Sequence, residues 1–273
     1  MENKRERGSP NGSVTKPALT IERNITTGVG KIEETERSAI QPARASVNGK
    51  SGAELQMEQG KYRQDDSAAM ERETAPGGEV EEFIALVLDE LSALGSRSEL
   101  DAINQAVELI LDREVGGGRV HVTGVGKSEY VARYVASLFS STGTPAYFLH
   151  ATECVHGSAG QLGKSDIAIA ISNSGCTPEL MSAVEVLREL DIKIIGVSGK
   201  RDSALMAASD VFLYAGVDNE GGILNLAPRA SILAESLVLC SLSVALECRK
   251  GLTREQYARW HPGGVLGRLA RGD

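Results

Sequence analysis

Ile167-Ala-Ile-Ala-Ile-Ser-Asn-Ser-Gly-Cys-Thr-Pro-Glu179 reads as a buried strand, a polar turn and the opening of a helix. The Ile-rich run from Ile167 to Ser172 suits a strand, and Pro178 suits the first helical position, where its missing N–H would have no partner anyway. Between them Ser172, Asn173, Ser174 and Thr177 supply side-chain donors, and the helix start adds unpaired backbone N–H groups. That combination fits a phosphate monoester. A plainer reading makes the hydroxyls N-caps only.

Outward from this stretch the same rhythm repeats. Short strand-like runs at Arg119 to Thr123, Ala146 to Leu149, Ile192 to Ser198 and Val211 to Tyr214 alternate with helix-length segments. The pattern predicts an α/β fold with a doubly wound parallel sheet of about five strands, flavodoxin-like or Rossmann-like, flanked by helices. Two amphipathic helices should precede the sheet. The first places Val80, Phe83, Ile84, Val87, Leu88 and Leu91 on one face and can end at Gly95; the second runs from about Glu99 to Val115 before Gly116-Gly117-Gly118. The segment Ala230 to Lys250 is apolar enough to be buried in this subunit or against another, so a homo-oligomer is expected.

The flanks read differently. Residues 1–78 are rich in Glu, Ser, Thr, Gly, Lys and Arg with no sustained apolar period, which predicts a disordered tail ahead of a domain over residues 79–273. Across all 273 residues, hydrophobic side chains make up 41% and charged ones 24%, with a net charge of −8. That balance argues against a nucleic-acid partner. Cys154, Cys176, Cys240 and Cys248 form no C-x-x-C pair, so neither a zinc site nor a disulfide framework is signalled, and a cytoplasmic protein with reduced thiols is expected. The opening residues lack an apolar h-region, and no uninterrupted apolar run approaches membrane-spanning length, so no membrane partner is expected.

In doubly wound sheets ligands bind beyond the carboxyl ends of the strands. After the first strand stands Gly124-Val125-Gly126-Lys127-Ser128. A P-loop would need Gly at His121, and the dinucleotide fingerprint would need its third Gly at Glu129, so both nucleotide readings fail. What remains is close backbone approach, a cation and a helix start, an anion site rather than only a tight turn. After the second strand His150 and His156 flank Glu153, and after the last strand comes Asp218-Asn219-Glu220-Gly221-Gly222. Histidine and carboxylate are the groups for proton transfer near neutral pH. No third residue is spaced to complete a metal site with these histidines. His261, in Trp260-His261-Pro262-Gly263-Gly264, could equally be part of a loop that docks the C-terminal segment.

Taken together, Gly124 to Ser128, His150 to Gly157, Ser172 to Gly175, Leu226-Ala227-Pro228 and His261 to Gly264 resemble the SIS domain of arabinose-5-phosphate isomerases over roughly Glu79 to Arg271. The resemblance implies interconversion of D-ribulose 5-phosphate and D-arabinose 5-phosphate, on the route to Kdo, through an enediol intermediate and without a cofactor. It assigns catalysis to Lys127, Glu179, Glu220 and His261. Gly124, Gly126, Ser128, His150, His156, Ser172, Asn173, Ser174 and Thr177 would line the substrate site. It also implies a homotetramer in which His261 completes a neighbour's site.

Some positions depart from that family's pattern. After Pro228 the family has a Thr/Ser-rich helix start, where this chain has Arg229-Ala230-Ser231; an acidic residue is usual at Cys176 and at Ser158, and a small one at Trp260. Departures of this kind shift substrate preference. Many members carry C-terminal CBS modules, and since the sequence stops at Asp273, regulation through them is not expected. The alternatives are a 3-hexulose 6-phosphate isomerase and a non-catalytic sugar-phosphate sensor.

Overall fold

Five parallel strands form one sheet: β1 (Val120–Gly124), β2 (Ala146–Phe148), β3 (Ile167–Ile171), β4 (Lys193–Ser198) and β5 (Val211–Tyr214), in the spatial order β2-β1-β3-β4-β5. The computed structural model describes residues 77–95 and 97–272, so the tail expected over residues 1–78 lies outside the described residues except for Gly77 and Gly78. β1 pairs with β2 from Val120↔Ala146 and with β3 from Val120↔Ile167. The chain therefore leaves β1 towards one edge of the sheet and returns beside it to build towards the other. This reversal creates the switch point between β1 and β3.

Alternation along the strands feeds two cores. On one face Val120, Val122, Ile167, Ile169, Ile171, Ile195 and Val197 pack with buried residues of α2 (Arg97–Val115), α3 (Lys127–Ser141) and α7 (Ala230–Lys250). On the other, Ala168, Ala170 and Ile194 pack with α4 (Ala151–Cys154), α5 (Pro178–Glu189) and α6 (Ala204–Ala208). Burying each large aliphatic side chain contributes about 1.5–3 kcal/mol. β1 and β3 are buried along their whole length, as the centre of a sheet covered on both faces requires.

Both helices ahead of the sheet are present. In α1 (Glu79–Ser92) Val87 is buried, but Val80, Ile84 and Leu88 remain exposed along the expected apolar face. α7 is the long apolar helix that the sequence promised. By length and composition it could cross a membrane, with a mean hydropathy of 1.7 over its most apolar window, although it holds no long uninterrupted apolar run. An unbroken-run criterion misses it because Ser231, Glu235 and Ser236 interrupt the aliphatic residues. Its inner face buries Ala234, Val238, Leu239, Leu242 and Leu246 in the core, and Leu233, Leu237 and Val244 stay exposed.

Past α7 come two short helices. α8 (Arg254–Trp260) opens with a capping box between Thr253 and Gln256, and α9 (Gly264–Arg271) follows. The Trp260 ring sits so close to Gly143 that any Cβ there would lie 2.4 Å from it. Gly143 joins the end of α3 to the start of β2, so Trp260 lies at the edge where the strands begin. Lys250 Nζ anchors the same corner, donating to Thr144 Oγ1 at 2.7 Å and Gly143 O at 3.1 Å.

Candidate functional site at the carboxyl edge of the sheet

Three neighbouring strands, β2, β1 and β3, deliver their following loops to one rim. Gly124 ends β1, and a Cβ there would meet the Ser128 carbonyl oxygen at 2.8 Å, so glycine lets α3 start hard against the strand. Gly126 caps α3 with φ +64° and ψ −126°, a conformation that glycine adopts without strain. These two glycines set Lys127 at the first position of α3 with its side chain exposed, while Ser128 turns inward and is buried.

The loop after β3 is ordered by its own hydroxyls. Ser172 Oγ lies 2.9 Å from Thr177 Oγ1 and 3.4 Å from Ser174 Oγ, and it accepts the Gly175 N–H at 3.0 Å. Ser174 Oγ accepts the Cys176 N–H at 3.3 Å. Thr177 precedes α5 without making a side-chain cap, so the plainer N-cap reading does not describe its hydroxyl. Asn173 fixes the loop to the strand beside it, its carbonyl accepting from Gly199 N at 3.0 Å and Ser198 Oγ at 3.2 Å. Glu179 is exposed in the first turn of α5.

His150 follows β2 and caps α4: its Nδ1 accepts the Glu153 N–H at 3.4 Å and lies 2.9 Å from Thr152 Oγ1. An accepting Nδ1 leaves Nε2 as the protonated nitrogen of the neutral ring. His156 is exposed on the same segment. Among the described residues, no three His, Cys, Asp or Glu side chains are grouped to hold a metal ion.

The remaining expected residues are placed differently. Glu220 lies beyond β5, and its Oε2 accepts the backbone N–H groups of Arg229 at 2.7 Å and Ser231 at 3.0 Å. It therefore caps α7, with a negative charge at the positive end of the helix dipole. Arg229 folds back over the same turn, donating to the Gly221 carbonyl at 3.1 Å. His261 stands at the end of α8, stacked on Tyr257 with ring centroids 3.9 Å apart and its Nδ1 2.9 Å from the Tyr257 carbonyl. Adjacent to Trp260, it lies at the amino edge of the sheet, so one protomer does not bring His261 to the rim of Lys127 and Glu179.

One titratable residue at this rim was not picked out from the sequence. Glu235, in α7, is fully buried, and its Oε1 accepts from Ser128 Oγ at 3.0 Å. Burial pushes its carboxyl up to about 7, the Ser128 hydrogen bond opposes that rise, and Glu220 adds to it. A lone Glu in Ser231-Ile-Leu-Ala-Glu-Ser-Leu-Val-Leu239, on a helix expected to be buried, was the available signal.

Residues 117–245, which carry β1 to β5 and most of α7, match the SIS domain model. The chain is 32% identical to a solved protein of E. coli CFT073 in complex with arabinose 5-phosphate, covering 95% of that chain and 67% of this one with a TM-score of 0.61. The chain belongs to the SIS-domain family. Its SIS domain is also similar to curated proteins named arabinose 5-phosphate isomerase KdsD. The Pseudomonas aeruginosa protein is 40% identical over 185 residues, 68% of this chain and 56% of that relative. The Escherichia coli O157:H7 protein is 41% identical over 173 residues, 63% of this chain and 53% of that relative. The chain thus spans about half the length of the curated relatives it matches. The family match accounts for the loop order that carried the resemblance in the sequence.

Proposed function

We propose that this SIS domain is an aldose-ketose isomerase that interconverts D-ribulose 5-phosphate and D-arabinose 5-phosphate or a closely related sugar phosphate. The observation that carries the reading is the pair of loops flanking the switch point: the Ser172, Ser174 and Thr177 hydroxyl cluster after β3, and the Gly126-Lys127 helix start after β1. The hydroxyls and the free N–H groups at the start of α5 hold the phosphate. Lys127 stabilises the oxyanion that forms when the proton alpha to the carbonyl is removed. Glu179 or His261 takes that proton and returns it to the neighbouring carbon through the enediol. His150 and His156 line the sugar's path, and the chemistry uses no cofactor.

His261 reaches such a site only from another copy of the chain, which supports a homo-oligomer, with a tetramer the preferred assembly. The exposed Val80, Ile84, Leu88, Leu233 and Leu237 offer apolar surface for that contact. The inner face of α7 packs in the domain core, which favours a cytoplasmic protein over a membrane-spanning one. A domain over residues 79–273 accounts for all these elements.

A sensor that binds sugar phosphate without turnover is the second reading, favoured by the engagement of Glu220 as a cap. Incubation with each sugar phosphate in deuterium oxide separates the two. An isomerase incorporates deuterium at the carbon beside the carbonyl, and a sensor binds without exchange.

A further inference from the structure

Under the Lys127 turn stands a carboxyl that the proposed chemistry does not use. One oxygen of Glu235 is met by Ser128 Oγ, and the other is buried with no hydrogen-bond partner among the described residues. One turn earlier on the same face of α7, Ser231 Oγ is also buried and unpartnered, while the Ser231 backbone N–H is held by Glu220 Oε2. Buried carboxyls are rare in cores because their charge must be solvated or suppressed. If Glu235 only pinned α3 to α7, an amide would accept from Ser128 equally well and carry no charge to suppress.

We infer that Glu235 is a positioning residue whose proton tunes the rim: neutral, it fixes the start of α3 through Ser128, and ionised, it sets a negative charge under the first turn of α3, which carries Lys127, and weakens the hold of that turn on an oxyanion. The inference rests on the isomerase reading of the site. The surroundings of Glu235 favour its neutral form. Enclosure disfavours the anion and Glu220, the charged group facing it from the β5–α7 segment, adds to this, while Ser128 from α3 is the opposing contact. α2 faces the same core with apolar Ile103, Ala106, Val107 and Ile110. On α1 the Glu90 carboxylate is occupied by the Asp218 and Asn219 N–H groups. The proton is therefore held below about pH 7 and given up above it. Lys127 acts on charge that develops in the transition state, so the consequence falls on kcat rather than on KM.

The test is the pH dependence of kcat for the full chain and for Glu235→Gln. A charge held near the helix start is worth about a five- to tenfold change, so wild-type kcat should fall by that factor between about pH 6.5 and 8.5. In Glu235→Gln this limb should disappear, whatever the value of kcat at low pH. A variant that loses activity equally at every pH and keeps the wild-type limb overturns the inference. In Ser128→Ala, where the anion loses its one hydrogen bond, the limb should move to higher pH; an unmoved limb also counts against Glu235. If no sugar phosphate is turned over, calorimetric binding of a phosphorylated aldonohydroxamate, whose oxygens mimic the enediolate that Lys127 would hold, by wild type and Glu235→Gln at pH 6 and 8 gives the reading. Affinities that diverge with pH keep the inference while the isomerase reading fails, and parallel affinities end it. Phosphate's own second ionisation affects both proteins alike.

Discussion

Glu220 accepts the Ser231 backbone N–H at 3.0 Å and thereby ties the segment after β5 to the first turn of α7. Its second bond, from Arg229 N, makes one carboxylate oxygen serve two helix-terminal donors that would otherwise have no partner. Removing the cap with Glu220→Ala should cost about 1 kcal/mol of stability, read as a shifted denaturant midpoint. Glu220→Gln keeps an acceptor oxygen and should cost less. If Glu220 also takes part in proton transfer, Glu220→Gln will lose far more activity than stability; equal, small losses would reduce it to a cap.

Gly126 gives the sharpest test of the Lys127 turn. Nothing lies within 4 Å of a Cβ placed there, so Gly126→Ala acts through backbone strain at φ +64° and not through a clash. The expected cost is about 1–3 kcal/mol, and displacement of Lys127 should lower kcat/KM by more than about tenfold. A variant with full activity and a lowered melting temperature would show that the turn's geometry does not matter to catalysis.

At the opposite edge of the sheet, Asp166 joins the start of β1 to the start of β3. It accepts the Arg119 and Gly163 N–H groups at 2.8 and 2.9 Å and lies 3.1 Å from His121 Nε2. Burial alone would push its carboxyl up, but the Gly163 and Arg119 N–H groups and His121 outweigh it and hold it below the ordinary aspartate value. Burial likewise lowers His121, against the pull of Asp166, so the folded protein prefers the neutral ring. Both groups bind fewer protons folded than unfolded, and both contributions are therefore lost as pH falls. That of His121 goes first, below about 6.5, and that of Asp166 below about 4. Chemical denaturation should show a midpoint declining from neutral pH downwards, and Asp166→Asn, which turns one accepting oxygen into a donor facing these N–H groups, should cost about 1–3 kcal/mol at pH 7. A midpoint flat from pH 7 to 4 would contradict this.

Because His261 sits with Trp260 at the amino edge, the part proposed for it depends on assembly. Light scattering should give a mass roughly four times that of the chain. If His261 is the base, co-expressed Lys127→Ala and His261→Ala chains, each impaired alone, should regain part of the activity in mixed assemblies. A monomer with full activity would remove His261 from the site.

Much of this was legible in the sequence because the signals were local. β-branched runs and helix-length spacers marked all five strands to within two residues at either end, and the two glycines before Lys127 announced a close strand-to-helix turn. Contacts between distant segments left no such trace. Nothing near Glu220 in sequence says that its carboxylate caps a helix starting ten residues later. Ser128 and Glu235 are 107 residues apart, and only the packing of α3 on α7 pairs them. His261 lies in a conspicuous Pro-Gly-Gly context, yet its place is decided by how the Trp260 ring seats on Gly143.

The rim of Lys127, Ser172 and Ser174 is proposed to perform isomerisation rather than binding alone. Turnover of D-arabinose 5-phosphate and D-ribulose 5-phosphate by the purified full chain, beside Lys127→Ala and a panel of other pentose and hexose phosphates, tests it most directly. Interconversion of that pair or of a close relative is expected, reduced roughly 100- to 1000-fold in kcat by Lys127→Ala. Tight binding of a sugar phosphate with no turnover of any, or turnover indifferent to Lys127, would contradict it.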